Sequence, residues 1–182
     1  MRVITGSARG RKLRTLEGKD VRPTTDMVKE AMFSIIQFDI EGRKVLDLFA
    51  GCGQLGIEAI SRGADFVTFV DKSKQSIDVI NDNLKTVGFA QNSKIVNKDY
   101  AAFLSGCTDK FDIVFLDPPY SIGLLQEALS KLDKVIKDTS TVICEHPYGE
   151  NVPEFAGNLP KFRQYKYGKV AVTVYKRGEI DG

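Results

Sequence analysis

Apolar positions recur along this chain in two alternating periods. Val28, Ala31, Met32, Ile35 and Ile36 fall at i, i+3, i+4, i+7 and i+8, one stripe of an amphipathic helix. Thr24, Thr25 and Asp26 just ahead of it are good helix caps. From residue 43 short apolar runs alternate with helical stripes. Residues 44–49, 66–70, 94–97, 111–116 and 141–144 predict five buried strands. Between them, residues 57–61 continue as helix behind a glycine loop at 51–56. Ile77, Ile80, Leu84 and Val87 line a second helix closed by Gly88, and Leu125, Ala128, Leu129, Leu132 and Ile136 predict a third over 121–137. Such alternation implies right-handed crossovers and a parallel sheet covered on both faces. Residues 162–176 break the rhythm. Tyr165 and Tyr167, a turn at Gly168-Lys169 and the alternating run from Val170 to Tyr175 predict an antiparallel hairpin packed by its tyrosines. Residues 1–22, punctuated by Gly6, Gly10 and Gly18, predict an irregular or hairpin-like arm, in which Val3 and Ile4 start a short strand. Residues 23–182 form the main domain.

Composition narrows the class. With 182 residues, 42% hydrophobic and 27% charged, the chain fits one globular domain with a single core. No apolar run approaches the ~20 residues of a spanning helix, and the basic N-terminus has no apolar stretch behind it, so it does not read as a secretory signal. Cys52, Cys107 and Cys144 are odd in number and form no CxxC pair, which points to a reducing cytoplasm and away from a disulfide framework or zinc knuckle. Net charge is only +2. The arm, however, carries Arg2, Arg9, Arg11, Lys12, Arg14, Lys19 and Arg22 against Glu17 and Asp20. It is either a solvated basic tail or a phosphate-contacting segment, and composition does not choose.

Three motifs carry chemistry. Asp47-Leu48-Phe49-Ala50-Gly51-Cys52-Gly53 follows the first strand, where ligands of doubly wound sheets bind. Gly51 and Gly53 let the backbone turn sharply beside a ligand. With Gly56 they also match a dinucleotide fingerprint, which alone is weak. Asp47 would oppose a pyrophosphate but suits backbone amides or a ligand ammonium, and the absence of Gly-Lys-Ser/Thr excludes a P-loop. Asp71 ends the second strand and can accept from ribose hydroxyls; as a bare helix cap it would need no ligand. Asp99, after the third strand, is a candidate for an adenine amino group. The third motif is Asp117-Pro118-Pro119-Tyr120, at the end of the fourth strand. Two prolines remove two N–H donors and stiffen the turn, so carbonyls join the Asp117 carboxylate as acceptors for an –NH2 group. Tyr120 offers a face for stacking. This combination fits methyl transfer to an exocyclic base amine by orientation and electrostatics, without metal or covalent intermediate. His146, the only histidine, reads as structural or as a rim residue.

On the segments RVITGSARGRKL, RPTTDMVKEAMF, DLFAGCGQLGIEAISRGA, FVDKS, DPPY and YGKVAVTVYKR, the chain resembles the RsmD family of 16S ribosomal RNA guanine-N2 methyltransferases. The resemblance covers nearly the whole chain. It implies an α/β class I, Rossmann-like methyltransferase with a mostly parallel seven-stranded sheet, a C-terminal antiparallel hairpin and a short N-terminal arm. It implies S-adenosylmethionine as cofactor, held by a set drawn from Asp47, Phe49, Gly51, Gly53, Asp71, Lys72, Asp99 and Tyr100. It places the base amine at Asp117, Pro118, Pro119 and Tyr120, and Arg22 and Thr24 at the cofactor edge or the RNA entrance; together with the basic arm residues Arg2, Arg9, Arg11, Lys12 and Arg14 these are the candidate contacts to substrate RNA. The implied partner is 16S rRNA within an assembling small-subunit particle, met by a cytoplasmic monomer needing neither membrane nor metal. Cys52 and Gln54 depart from the small residues common at those positions, which bears on cofactor packing. The residues alone leave open an adenine-N6 or cytosine-N4 methyltransferase on DNA or RNA, or a catalytically silent RNA-binding assembly factor. An NAD-linked oxidoreductase is disfavoured by the Asp-Pro-Pro-Tyr segment.

Overall fold

The computed structural model describes residues 1–18 and 24–178. Arg22 and Pro23 lie outside them. Five helices are described: α1 (Asp26–Ile35), α2 (Gln54–Ser61), α3 (Lys74–Val87), α4 (Tyr100–Gly106) and α5 (Leu124–Ser130). The strands are β1 (Lys44–Asp47), β2 (Phe66–Asp71), β3 (Ser93–Asn97), β4 (Phe111–Leu116), β5 (Ile136–Pro147), β6 (Phe155–Ala156), β7 (Leu159–Tyr167) and β8 (Val170–Tyr175). They form one sheet in the order β3-β2-β1-β4-β5-β8-β7-β6. The first five strands are mutually parallel and the last three join antiparallel. The eighth strand is the two-residue β6, too short to leave a periodic signal.

Alternation along the strands divides the core. Val45, Ile113, Phe115 and Ile143 face the layer of α1, α2 and α3. Leu46, Val114, Leu116, Val142 and Cys144 face the layer of α4 and α5. Both faces are dry, so these strands read as continuous apolar runs. Thr25 caps α1 by accepting from the Val28 amide, and Ser73 caps α3 by accepting from the Ser76 amide.

The third sequence-predicted helix is shorter than expected. It ends at Ser130, turns through residues 133–135, and Ile136 already pairs with Phe111 in the sheet. Leu132, Val135 and Ile136 are all buried in one cluster, so apolar spacing there cannot distinguish helix from turn plus strand. The first strand stops at Asp47, and α2 begins at Gln54 rather than at residue 57. The short α4 buries only the adjacent Phe103 and Leu104, which make no periodic stripe.

The N-terminal arm is hairpin-like, with Arg2 bridging Lys12, and it is docked rather than loose. Val3, Ala8 and Leu13 are buried in the same cluster as α1 and α2. The Ile4 and Thr5 amides donate to Glu58 of α2 at 2.9 and 3.0 Å, and the Ser7 amide donates to the Ser61 carbonyl at 2.8 Å. Glu58 is itself fully buried, paired with Arg62 at 3.0 Å and facing the buried Lys29 ammonium at 3.6 Å. Lys29 donates to the Arg2 carbonyl. Burial lowers the Lys29 pKa, and Glu58 opposes that shift. Among the described residues no helix is long and apolar enough to cross a membrane.

Candidate active site

Strand order reverses across β1: the chain runs outward to β2 and β3 on one side, to β4 and β5 on the other. A crevice forms beyond the carboxyl ends at such a switch point. Here it is a cavity of about 730 Å³, well within the range of small-molecule sites. Each of the five parallel strands supplies part of its wall. Phe49 and Gly51 follow β1, Asp71 and Lys72 close β2, Asp99 and Tyr100 follow β3, and residues 117–120 follow β4. Glu145 of β5 completes it, and Met1, Thr15 and Leu16 of the arm line its edge.

The glycine loop is built for close approach. Gly51 and Gly53 both take positive φ, +58° and +84°, where a side chain would be strained. Gly51 donates its N–H to Asp71 Oδ2 at 2.9 Å, and Ser73 donates to Asp71 Oδ1 at 2.9 Å. The Asp71 carboxylate is thereby fixed, and each oxygen keeps a second acceptor direction. Asp71 thus helps turn the chain into α3, whose cap is Ser73. Gly56 lies inside α2, where a Cβ would sit 2.2 Å from the Phe69 ring. It is the glycine of close helix–strand packing.

Two members of the expected cofactor set, Asp47 and Gly53, do not line the cavity. Gly53 is the N-cap of α2. Asp47 sits behind the loop, 1% exposed, and accepts from the Gly56 amide at 3.0 Å. Its Oδ1 is buried without a partner. Burial pushes its carboxyl up to about 7; the Gly56 N–H works against this and the Asp71 charge adds to it. Phe49 and Tyr100 line the cavity as a tilted ring pair, centroids 5.3 Å apart. Asp99 also caps α4 by accepting from the Ala101 amide at 2.9 Å.

Asp117, Pro118, Pro119 and Tyr120 line the same cavity after β4, on the other side of β1 from Asp71. The Pro119 carbonyl turns back to accept from the Ser121 amide at 2.8 Å, which leaves it one further acceptor direction. Thr24, expected at the cofactor edge or the RNA entrance, is buried. Its hydroxyl oxygen lies 2.7 Å from Asp117 Oδ2 and 2.8 Å from Glu145 Oε2. The hydroxyl carries one proton, so at any moment it donates to one of these two carboxylates.

Of the expected RNA residues, Arg2, Arg9, Arg11, Lys12 and Arg14 are exposed on the arm. Two of them already serve the fold. Arg11 donates to the Thr86 carbonyl and Arg14 pairs with Asp82, both on α3. His146 is buried, with Nε2 2.7 Å from the Thr173 hydroxyl and Nδ1 3.0 Å from the Pro147 carbonyl, a structural role. Tyr165 and Tyr167 pack on the core, and the buried Tyr175 donates to the Pro153 carbonyl at 2.7 Å.

Sequence reasoning missed Glu145 and Gln54 as cavity residues. Glu145 had a signal: an acid directly after the apolar run Val142-Ile143-Cys144.

A family model described as conserved hypothetical protein 95 matches residues 1–176. Ribosomal RNA small subunit methyltransferase D of Escherichia coli (strain K12) is 34% identical over 186 residues, covering 100% of this chain and 93% of that one. The chain belongs to the RsmD family. The solved structure of yhhF from Escherichia coli matches this RsmD-family fold with TM-score 0.87 at 34% identity, covering 97% of each chain. A Salinibacter ruber RNA methyltransferase solved with S-adenosyl-L-homocysteine has TM-score 0.68 at 16% identity, covering 87% of this chain and 96% of that one. At that identity it speaks for the fold alone.

Proposed function

We propose that this protein transfers a methyl group from S-adenosylmethionine to the exocyclic N2 amine of a guanine in 16S rRNA of the assembling small subunit. The observation that carries this reading is that one cavity is lined both by the glycine loop with Asp71 and by Asp117 with Tyr120, Asp71 and Asp117 coming from strands on either side of β1.

The residues fit the cofactor. Among the described residues, Asp71, Asp99, Asp117 and Glu145 line the cavity beside Lys72 and Lys98, a balance that favours a cationic ligand. Gln54 also lines it, and its Oε1 is a buried acceptor without a partner, ready for an ammonium. Asp71 accepts ribose hydroxyls through its remaining acceptor directions. Phe49 and Tyr100 supply apolar faces for the adenine, and Asp99 takes its amino group. When bound, S-adenosylmethionine supplies an electrophilic methyl whose departing bond leaves its electron pair on sulfur.

Asp117 does the protein's part of the chemistry. A base amine is a poor nucleophile because its lone pair is delocalised into the ring. Accepting its N–H hydrogens favours the pyramidal form and turns that lone pair toward the donor side of the cavity. The new N–C bond uses the pair, and one amine proton leaves to Asp117 or water. Tyr120, half-exposed at the rim, stacks on a base turned out of its neighbours, which costs a few kcal/mol. The RNA target is supported by the name of the Escherichia coli relative.

Two measurements test the reading. Mass spectrometry of nucleosides from 16S rRNA, with and without this protein, must show N2-methylguanosine as the difference. Asp117→Ala must keep cofactor affinity and lose about 10²–10³-fold in kcat. Undiminished transfer by that variant overturns the amine-holding role.

A further inference from the structure

Asp117 alone does not choose a base, because adenine N6, cytosine N4 and guanine N2 all offer the same N–H donors. What differs is the ring nitrogen beside the amine. Guanine carries a hydrogen on N1, whereas adenine N1 and cytosine N3 carry a lone pair. A second acceptor next to Asp117 therefore discriminates.

Glu145 is such an acceptor. It lies in β5, the strand paired with β4, which ends just before Asp117, and it is 4% exposed while lining the cavity. Among the described residues its polar partners are the Thr24 hydroxyl at 2.8 Å and, more loosely, the Tyr120 hydroxyl at 3.4 Å, and no cation pairs with it. The Thr24 hydroxyl oxygen lies within 2.8 Å of a carboxylate oxygen of each, so Glu145 and Asp117 stand side by side around it. A buried carboxylate with so few donors is costly unless a ligand brings more.

We propose that Glu145 is a specificity-determining residue: it accepts the N1 hydrogen of the flipped guanine while Asp117 holds the N2 amine. The proposal rests on the reading of this cavity as a guanine-N2 site. Against adenine or cytosine, the same carboxylate faces a ring lone pair, repelled and unsatisfied. Sites built to bond a hydrogen reject analogues lacking it by about 10⁴-fold or more. The role of Thr24 follows from this: it sets the spacing of the two acceptors.

The test uses 2-aminopurine, which keeps the exocyclic amine at C2 but has a lone pair at N1. Small-subunit particles are reconstituted with 16S rRNA ligated to carry guanine or 2-aminopurine at the methylated position. Transfer is measured as kcat/KM for the wild type, Glu145→Gln and Thr24→Val. The wild type prefers guanine by on the order of 10²-fold or more. Glu145→Gln, whose amide donates to a bare N1, narrows that preference at least about tenfold. Thr24→Val slows both bases and leaves the preference within about threefold, because it disturbs spacing without changing an acceptor into a donor. An unchanged preference in Glu145→Gln overturns the proposal, and so does a wild type that uses both bases equally. Those outcomes leave guanine-N2 methylation standing. Wild-type product on adenine or cytosine, identified by the nucleoside itself, overturns both.

Discussion

Asp47 ties the stability of this fold to pH in a direction opposite to that of most carboxylates. Its side chain is fully buried behind the glycine loop, with one oxygen on the Gly56 amide and the other without a partner. Burial raises its pKa from 3.8 to about 7. In the unfolded chain the group ionises near pH 4; in the fold it holds its proton until about 7. Its contribution to stability is therefore fully present below pH 4, falls as pH rises, and is gone above about 7. The gap between the two values corresponds to roughly 4 kcal/mol at full ionisation. Asp47→Asn removes the charge and keeps an oxygen for the Gly56 amide. It leaves a buried –NH2 where Oδ1 was, a penalty of about 1–3 kcal/mol that does not vary with pH. Urea denaturation of both ligand-free proteins between pH 4 and 8 separates the two effects. The difference in unfolding free energy, variant minus wild type, is expected to climb by roughly 3–4 kcal/mol across that range and to flatten above pH 7.5. Other acids titrate in both proteins and cancel. A difference that stays level from pH 4 to 8 refutes the argument, because it means that Asp47 ionises alike in the folded and unfolded chains.

Other consequences are equally direct. Gly56→Ala drives a Cβ to 2.2 Å from the Phe69 ring and 2.9 Å from Val67; a loss of about 1–3 kcal/mol is expected by denaturant titration. Gly6→Ala places a Cβ 1.8 Å from the Ser61 carbonyl oxygen at φ +94°. The arm should then lift, which limited proteolysis reads as cleavage within residues 1–16, and cofactor affinity should fall because Met1, Thr15 and Leu16 leave the cavity edge. Glu58→Ala strands the buried Lys29 ammonium and two arm amides, costing roughly 3–5 kcal/mol in urea unfolding. If the arm follows RNA phosphates, neutralising Arg2, Arg9 and Lys12 should flatten the salt dependence of RNA binding and leave cofactor affinity unchanged; an unaltered slope returns the arm to a purely structural role.

What was legible in the sequence was whatever leaves a local mark. Buried parallel strands announce themselves as apolar runs, so β1, β2 and β4 were placed within two residues of their observed ends. Asp71 and residues 117–120 were legible because a strand end fixes where its next residues point, whatever the packing. Longer-range contacts were not. Lys29 falls beside the apolar stripe of α1 and reads as solvent-facing, yet the arm and Glu58 bury it. Nothing between residues 24 and 145 foretells that their side chains meet, since Thr24 stands just ahead of α1 and only the docking of that helix on the sheet brings it to β5.

If Asp117 and Glu145 hold the base as proposed, that meeting gives Thr24, just ahead of α1, a part in placing them. Thr24 precedes the cap of α1, and α1 is held by Lys29, which bonds the arm at Arg2 and faces Glu58 of α2. The arm in turn bonds Glu58 through the Ile4 and Thr5 amides. A continuous set of contacts thus runs from the arm, through α1, to the hydroxyl that spaces Asp117 and Glu145. Packed elements of this kind do not deform smoothly. Displacing the arm is therefore expected to disturb the acceptor pair as well as the cavity edge. In Gly6→Ala, the preference for guanine over 2-aminopurine should hold while kcat drops, because the acceptors lose their spacing but not their chemical character. A kcat equal to wild type, with the arm shown by proteolysis to be lifted, would break that chain of support at Lys29.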